Sequence, residues 1–362
     1  MYFGKILDKY LEINRKISVA PMMDWTDRHC RYFLRGFSPL ALLYTEMITS
    51  AAIVRGDAQR LLAFDPEEHP VALQLGGSEP RELAAAARAG EETGYDEINL
   101  NCGCPSDRVA SGAFGACLMR EPARVADCVA AMRAVVSIPV TVKMRVGVVS
   151  GTREQMRGAL LRFDQSDLEA LHGFVSQVRD AGCEVAIVHA RKAVLGGLSP
   201  KDNREVPPLR YDVVRGLKER FNGLPLIVNG GFRTAASVLE GLTWCDGVML
   251  GREAYHRPFV LSELQQALGG AGFEPPSREA LLERMARYAQ RQLARGERLA
   301  TITRHMLGLY SGEPGARDYR RFLSEGARAA GAGPELILQA ADAARLARQG
   351  SGMAAGSGGS SG

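Results

Sequence analysis

The chain has 362 residues, 46% hydrophobic and 24% charged, with a formal net charge of +4, an ordinary globular composition whose charge alone announces no nucleic-acid partner. Seven cysteines, an odd count without regular spacing, argue against a disulfide framework and for reduced thiols in the cytoplasm. No apolar run reaches 18 residues and the N-terminus has no signal-peptide h-region, so neither a membrane-spanning helix nor a secretory leader is expected.

Short apolar runs alternate with amphipathic helical patterns from residue 17 to about 268. Eight strands are predicted, at Ile17–Ala20, Leu42–Glu46, Val71–Leu75, Glu97–Asn101, Val140–Lys143, Val185–His189, Leu226–Asn229 and Gly247–Leu250. Helical patterns lie between them at Pro80–Thr93, with Pro80 in the first turn, at Ala123–Val136 and at Leu168–Ala181. Strand–helix alternation repeated eight times is the signature of an α/β fold of the (β/α)8 TIM-barrel type. A doubly wound sheet is the alternative, but it carries a Gly-rich turn after its first strand. Here the first strand runs into Pro21-Met22-Met23-Asp24-Trp25-Thr26-Asp27.

The barrel pattern spans residues 1–269. A linker over 270–277 contains Pro275 and Pro276, a small all-α domain follows over 278–348, and a Gly/Ser-rich tail over 349–362 is expected to be flexible. From Arg278 to Arg328 there are eleven Arg, no Lys and six acidic residues, a local balance of +5. Such a face is often merely solvated. Within Arg317-Asp318-Tyr319-Arg320-Arg321-Phe322, however, guanidinium groups interleave with aromatic rings, which suits phosphates and unstacked bases.

Barrel strands carry chemistry at their C-terminal ends. The fourth ends in Asn101-Cys102-Gly103-Cys104-Pro105-Ser106, where a thiol has the setting of a proton donor or nucleophile, or of a buried packing group. The seventh ends in Asn229-Gly230-Gly231 and the eighth in Gly251-Arg252, the two loops that commonly bind a phosphate in barrels. Gln74, Lys143 and His189 end the third, fifth and sixth strands and complete a polar ring around one mouth. A flavin mononucleotide would use such a ring, with an amide against its pyrimidine edge and a cation near the N1–O2 locus. Cys102-Gly103-Cys104 lacks zinc-knuckle spacing, so no metal site is expected.

With these features in place, the chain closely resembles the tRNA-dihydrouridine synthases. The matching segments are Ala20–Arg28, Tyr44-Thr45-Glu46-Met47, Pro70–Gly76, Ile98–Val109, Val142-Lys143-Met144-Arg145-Val146-Gly147, Asn229-Gly230-Gly231, Gly251–Tyr255, Ile302-Thr303-Arg304-His305-Met306-Leu307 and Pro314-Gly315-Ala316-Arg317. Together they cover roughly residues 17–345. The Asp24–Arg31 run and His189-Ala190-Arg191-Lys192-Ala193 resemble the subfamily that modifies U20 and U20a of the D-loop.

The resemblance implies FMN as cofactor and NADPH as its reductant. Pro21, Met22 and Met23 would line the isoalloxazine, and Gln74, Lys143 and His189 would contact the ring and ribityl region. Asn229, Gly230, Gly231, Gly251 and Arg252 would hold the phosphate. Cys104 corresponds to the family's proton donor, delivering to C5 of uracil while the reduced flavin delivers hydride to C6, and Cys102 falls at a variable position. Asn101 would bond the uracil edge. The tRNA, held at its D-loop and elbow, would meet Arg145, Arg191 and Lys192 at the mouth and Arg304, Arg317, Arg320 and Arg321 on the helical domain, along a positive groove joining the two. A cytoplasmic monomer without metal is expected. The other readings are an FMN barrel enzyme for a free pyrimidine, similar to dihydroorotate dehydrogenase, and a tRNA-binding protein without redox activity. Residues 149–170 depart from the family by a longer connection, to which no site is assigned.

Overall fold

In a computed structural model, which describes residues 13–106, 112–151, 153–269 and 272–356, each predicted apolar run folds as a strand. These strands are β1 (Ile17–Val19), β2 (Leu42–Tyr44), β3 (Val71–Gly76), β4 (Glu97–Cys102), β5 (Val140–Arg145), β6 (Ala186–His189), β7 (Leu226–Asn229) and β8 (Gly247–Leu250). Every neighbouring pair is parallel, and β8 returns to β1, so the eight strands close into a barrel with no free edge. Parallel pairing needs a crossover, and amphipathic helices at Pro80–Thr93, Pro122–Arg133, Gln165–Asp180 and Tyr211–Arg220 supply several of them. The first of these buries Leu83, Ala86, Ala87 and Gly90, the stripe that its 3.6-residue period predicts.

Alternation along each strand divides the chain between barrel interior and helix layer. Ala20, Leu42, Tyr44, Ala72, Ile187, Ile227 and Met249 belong to one buried apolar cluster. On β4 the alternate positions Glu97, Asn99 and Asn101 are buried polar residues, and β5 places Thr141 beside Asn99 and Lys143 beside Asn101. The longer connection after β5 is ordered by its own apolar cluster of Val149, Met156, Leu160 and Val194, and by a parallel pairing of Val148–Val149 with Ala193–Val194.

The chain divides into two compact units, one of Met1–Thr26 with Leu40–Gly251, the other of Asp27–Pro39 with Arg252–Gly362. The second takes in Asp27–Pro39 and the Phe259–Gly269 helix, both of which the sequence places with the barrel. Aromatic burial is the reason. In the Arg28–Arg35 helix, Tyr32 stacks on Tyr288 with centroids 3.9 Å apart, and Phe37 packs edge-on against Phe259. Asp27 caps this helix by accepting the Cys30 N–H, and its carboxylate also meets Arg304 at 2.6 Å and His305 at 2.9 Å.

Further helices of this unit run over Arg278–Leu293, Leu299–Thr303, Ala316–Gly326 and Glu335–Gly356. The last includes residues 349–356, which the composition assigns to a flexible tail. Its first half buries Ile337, Ala340 and Ala344, and extending an established helix costs far less than nucleating one. The motif residues 107–109, linker residues 270–271 and tail residues 357–362 lie outside the described residues. Among the described residues no helix is long and apolar enough to cross a membrane, and no cluster of His, Cys, Asp or Glu is arranged to hold a metal ion. All seven cysteines are free thiols.

Candidate active site

Cys104 sits on the loop that leaves β4, half-buried, with its Sγ 3.6 Å from Ser106 Oγ. The loop is held from below and from the side. Asn101 Oδ1 accepts the backbone N–H groups of Gly103 at 3.1 Å and Cys104 at 3.0 Å, and the Cys104 carbonyl accepts from Ala116 N–H at 2.9 Å. Arg145 Nε donates to the Gly103 carbonyl at 3.1 Å. Cys102, two residues earlier, is wholly buried, and burial, with other thiols nearby, pushes it well above the ordinary thiol range. The two thiols, two residues apart in sequence, therefore differ in access to anything entering the mouth.

Asn101 was expected to bond a uracil edge. One amide hydrogen goes to Gln74 Oε1 at 2.8 Å and the carbonyl holds the loop, which leaves the second amide hydrogen for a substrate. Gln74 is 1% exposed and is committed on both ends, since its Nε2 donates to Asn99 Oδ1 at 2.7 Å.

Strand register assembles the cations. Arg145 pairs with His189, and His189 with Asn229. Lys143 Nζ donates to Asn229 Oδ1 at 3.1 Å, and Asn229 Nδ2 donates in turn to the Met249 carbonyl at 2.7 Å. Among the described residues neither Lys143 nor Arg145 has a carboxylate partner. Burial, reinforced by the Arg145 charge, lowers Lys143 to about 7. Burial with the same cations keeps His189 neutral, well below the ordinary imidazole range. A half-buried ammonium and a buried guanidinium without counter-charge are costly, and an anionic ligand relieves that cost.

The glycine turns are of two kinds. Gly230 and Gly231 have φ of +109° and +85°, and a Cβ on either would strike His189, Leu209 or Tyr211, so both are required by the chain itself. Tyr211 OH fixes the turn by donating to the Gly230 carbonyl at 2.5 Å. A Cβ at Gly251 would instead face open space, its nearest neighbour being Met22 Sδ at 4.0 Å. Met22 is held in a tight turn, donating its N–H to Thr26 Oγ1 at 2.9 Å, while Met23 is more than half exposed. The open cradle at Gly251 and the two cations without a carboxylate partner among the described residues both suit a planar, phosphate-bearing cofactor such as FMN. Arg252, next in the chain, opens the Arg252–His256 helix of the second unit.

The residues expected to meet tRNA separate into two groups. Arg317, Arg320 and Arg321 are exposed on the Ala316–Gly326 helix, above the buried Tyr319 and Leu323. The other four are engaged within the protein. Arg145 is buried between the Gly103 and Asn203 carbonyls, and Arg191 bonds the Glu205 and Pro207 carbonyls. Lys192 is 4% exposed, its Nζ meeting Asp167 Oδ2 at 2.7 Å and the carbonyls of Ala159 and Arg162. It staples the long connection after β5 instead of facing the mouth. Arg304 bonds Asp27, whose carboxyl is held well below its ordinary range: burial opposes this, but His305, the Cys30 N–H and Arg304 outweigh it.

Glu97, Asn99 and Thr141 went unassigned in the sequence. The signal was present in Glu97-Ile98-Asn99-Leu100-Asn101, where every second residue of a buried strand is polar.

A family described as dihydrouridine synthase matches residues 18–345. The chain is 54% identical over 325 residues to a protein of Xanthomonas campestris pv. campestris named tRNA-dihydrouridine(20/20a) synthase, covering 90% of this chain and 92% of the relative. Proteins of the same name from Vibrio vulnificus (52% identical, 90% and 95% covered) and Pseudomonas aeruginosa (53% identical, 86% and 90% covered) are similarly close. A match spanning the barrel and the helices beyond it, with identity above one half to full-length relatives, shows that this chain is an enzyme of the dihydrouridine synthase family.

Proposed function

We propose that the chain reduces uridine to 5,6-dihydrouridine in the D-loop of tRNA, at positions 20 and 20a, with FMN as cofactor, NADPH as its reductant and Cys104 as proton donor. The positions rest on the names of relatives more than half identical in sequence. The observation that carries the chemistry is the pairing of a half-buried thiol, Cys104, with two cations, the half-buried Lys143 and the buried Arg145, that have no carboxylate partner among the described residues.

Gln74, Lys143, His189, Asn229, Gly230, Gly231, Gly251 and Arg252 would hold the FMN, with Pro21, Met22 and Met23 along its ring. When bound and reduced, it supplies a hydride. The chain's own work is the rest. Cys104 holds a proton at Sγ and gives it to the uracil carbon, which is general acid catalysis. Asn101 keeps the loop in place and offers its remaining amide hydrogen to the base. Lys143, near neutrality, takes up a proton when an anion comes close. Because the target uridine is stacked in folded tRNA, it must leave its stack, and the exposed Arg317, Arg320 and Arg321 supply phosphate contacts while it does so. The protein works as a cytoplasmic monomer in this reading.

Cys104→Ala tests it. The variant should accept electrons from NADPH at the wild-type rate and leave tRNA unmodified by mass mapping. Full dihydrouridine formation by that variant would remove the assignment.

A further inference from the structure

Beneath Cys104 a continuous line of hydrogen bonds crosses the barrel interior. At its base Glu97 Oε2 accepts from Arg15 Nε at 3.0 Å and from Arg15 Nη2 at 2.7 Å. Glu97 Oε1 accepts from Tyr44 OH at 2.5 Å and Thr141 OH at 2.7 Å. Four donors on two oxygens, one pair from a guanidinium, make Glu97 an acceptor on both of its oxygens. Tyr44 remains a phenol and a donor, because burial and then the Glu97 charge push it well above its ordinary range.

The direction of every later bond follows from that base. Thr141 spends its hydroxyl proton on Glu97, so its oxygen accepts from Asn99 Nδ2, at 2.8 Å. Asn99 must then show its carbonyl to Gln74 Nε2, at 2.7 Å. Gln74 in turn shows its carbonyl to Asn101 Nδ2, at 2.8 Å, and Asn101 shows its own to the Gly103 and Cys104 N–H groups. A side-chain amide is nearly the same shape either way round and reverses polarity when turned. Turned over, Asn101 would set an NH2 against two backbone N–H groups and release the loop.

We infer that Glu97, acting through Thr141, Asn99 and Gln74, is a positioning residue that sets the polarity of the Asn101 amide and so the place of the Cys104 thiol. The catalytic consequence rests on Cys104 being the proton donor, but the placement of the loop does not.

The test cuts one link without changing its shape. In purified holoenzyme, Thr141→Val should raise the rate of Cys104 alkylation by iodoacetamide, read by peptide mass spectrometry, by about fivefold or more as the loop loosens. It should lower kcat for dihydrouridine formation by about tenfold while KM for tRNA stays within about twofold. Thr141→Ser, which keeps the hydroxyl, should restore both. Unchanged alkylation in Thr141→Val overturns the inference, whatever happens to kcat. So does a Thr141→Ser variant as impaired as Thr141→Val, since keeping the hydroxyl would then fail to keep the loop in place. Faster alkylation with kcat unchanged upholds the relay and removes Cys104 from the chemistry instead. If Thr141→Val does not fold, Asn99→Leu cuts the next link and is read in the same way.

Discussion

Gly230 stands so close to His189 that a Cβ at residue 230 would lie 2.5 Å from His189 Cδ2 and 2.8 Å from Nε2. The imidazole and the turn after β7 therefore define each other. Gly230→Ala must push the ring aside while holding a left-handed φ of +109°. The variant should lose about 1–3 kcal/mol of stability by urea unfolding. Its FMN affinity, measured by flavin fluorescence, should fall by about tenfold or more. Wild-type affinity would mean that the ring has no part in shaping the cofactor site.

Lys143 gives the flavin-free protein a specific pH dependence. Its ammonium is held at about 7 in the folded chain, against about 10.4 when unfolded. Between those values unfolding takes up a proton, so stability rises with pH, by at most about 1.4 kcal/mol per pH unit from this group. Below the folded value both states carry the proton and the slope disappears. Urea melts across this range should show the rise in the wild type and a flatter profile in Lys143→Met, with the variant's advantage greatest at the acidic end. An unchanged slope in the variant would mean that Lys143 keeps its charge through other partners.

Lys192 should behave as a structural group. Lys192→Met breaks a buried bond to Asp167, whose own side chain is 25% exposed, so the cost should be about 2–3 kcal/mol and not the full value of a buried pair. Affinity for tRNA, measured well below the melting temperature, should stay within about twofold. A large loss of tRNA affinity with unchanged stability would restore the sequence-based expectation that this Lys meets the substrate.

The exposed Arg stripe should behave in the opposite way. Arg317→Ala/Arg321→Ala should reduce the slope of log affinity for tRNA against log salt by about 1.5–2. Melting temperature should hardly move, since among the described residues the Arg321 side chain makes only an exposed contact to Asp318. An unchanged slope would place the tRNA phosphates elsewhere.

Sequence resolved the two thiols by different means than structure does. Residue patterns left Cys102 and Cys104 equivalent, and only the family resemblance separated them. In the structure, alternation along β4 buries Cys102 outright while the turn at Gly103 leaves Cys104 accessible. Lys192 shows the opposite case. A Lys beside Arg191 at a strand end reads as a substrate contact, but the Lys192 partner Asp167 and the carbonyls of Ala159 and Arg162 arrive with the long connection, whose path no local pattern specifies.

The strands, their parallel order and the polar character of the mouth were determined by the sequence alone, because period-two alternation, turn residues and strand-end chemistry are local properties. The tertiary structure decided which of those polar groups are free. Glu97 meets Arg15 across 82 residues, Tyr44 across 53 and Thr141 across 44, and Lys143 meets Asn229 across 86. Closing the barrel brings these partners within 3.1 Å, and at that range each donor that finds an acceptor is withdrawn from the substrate and given to the fold.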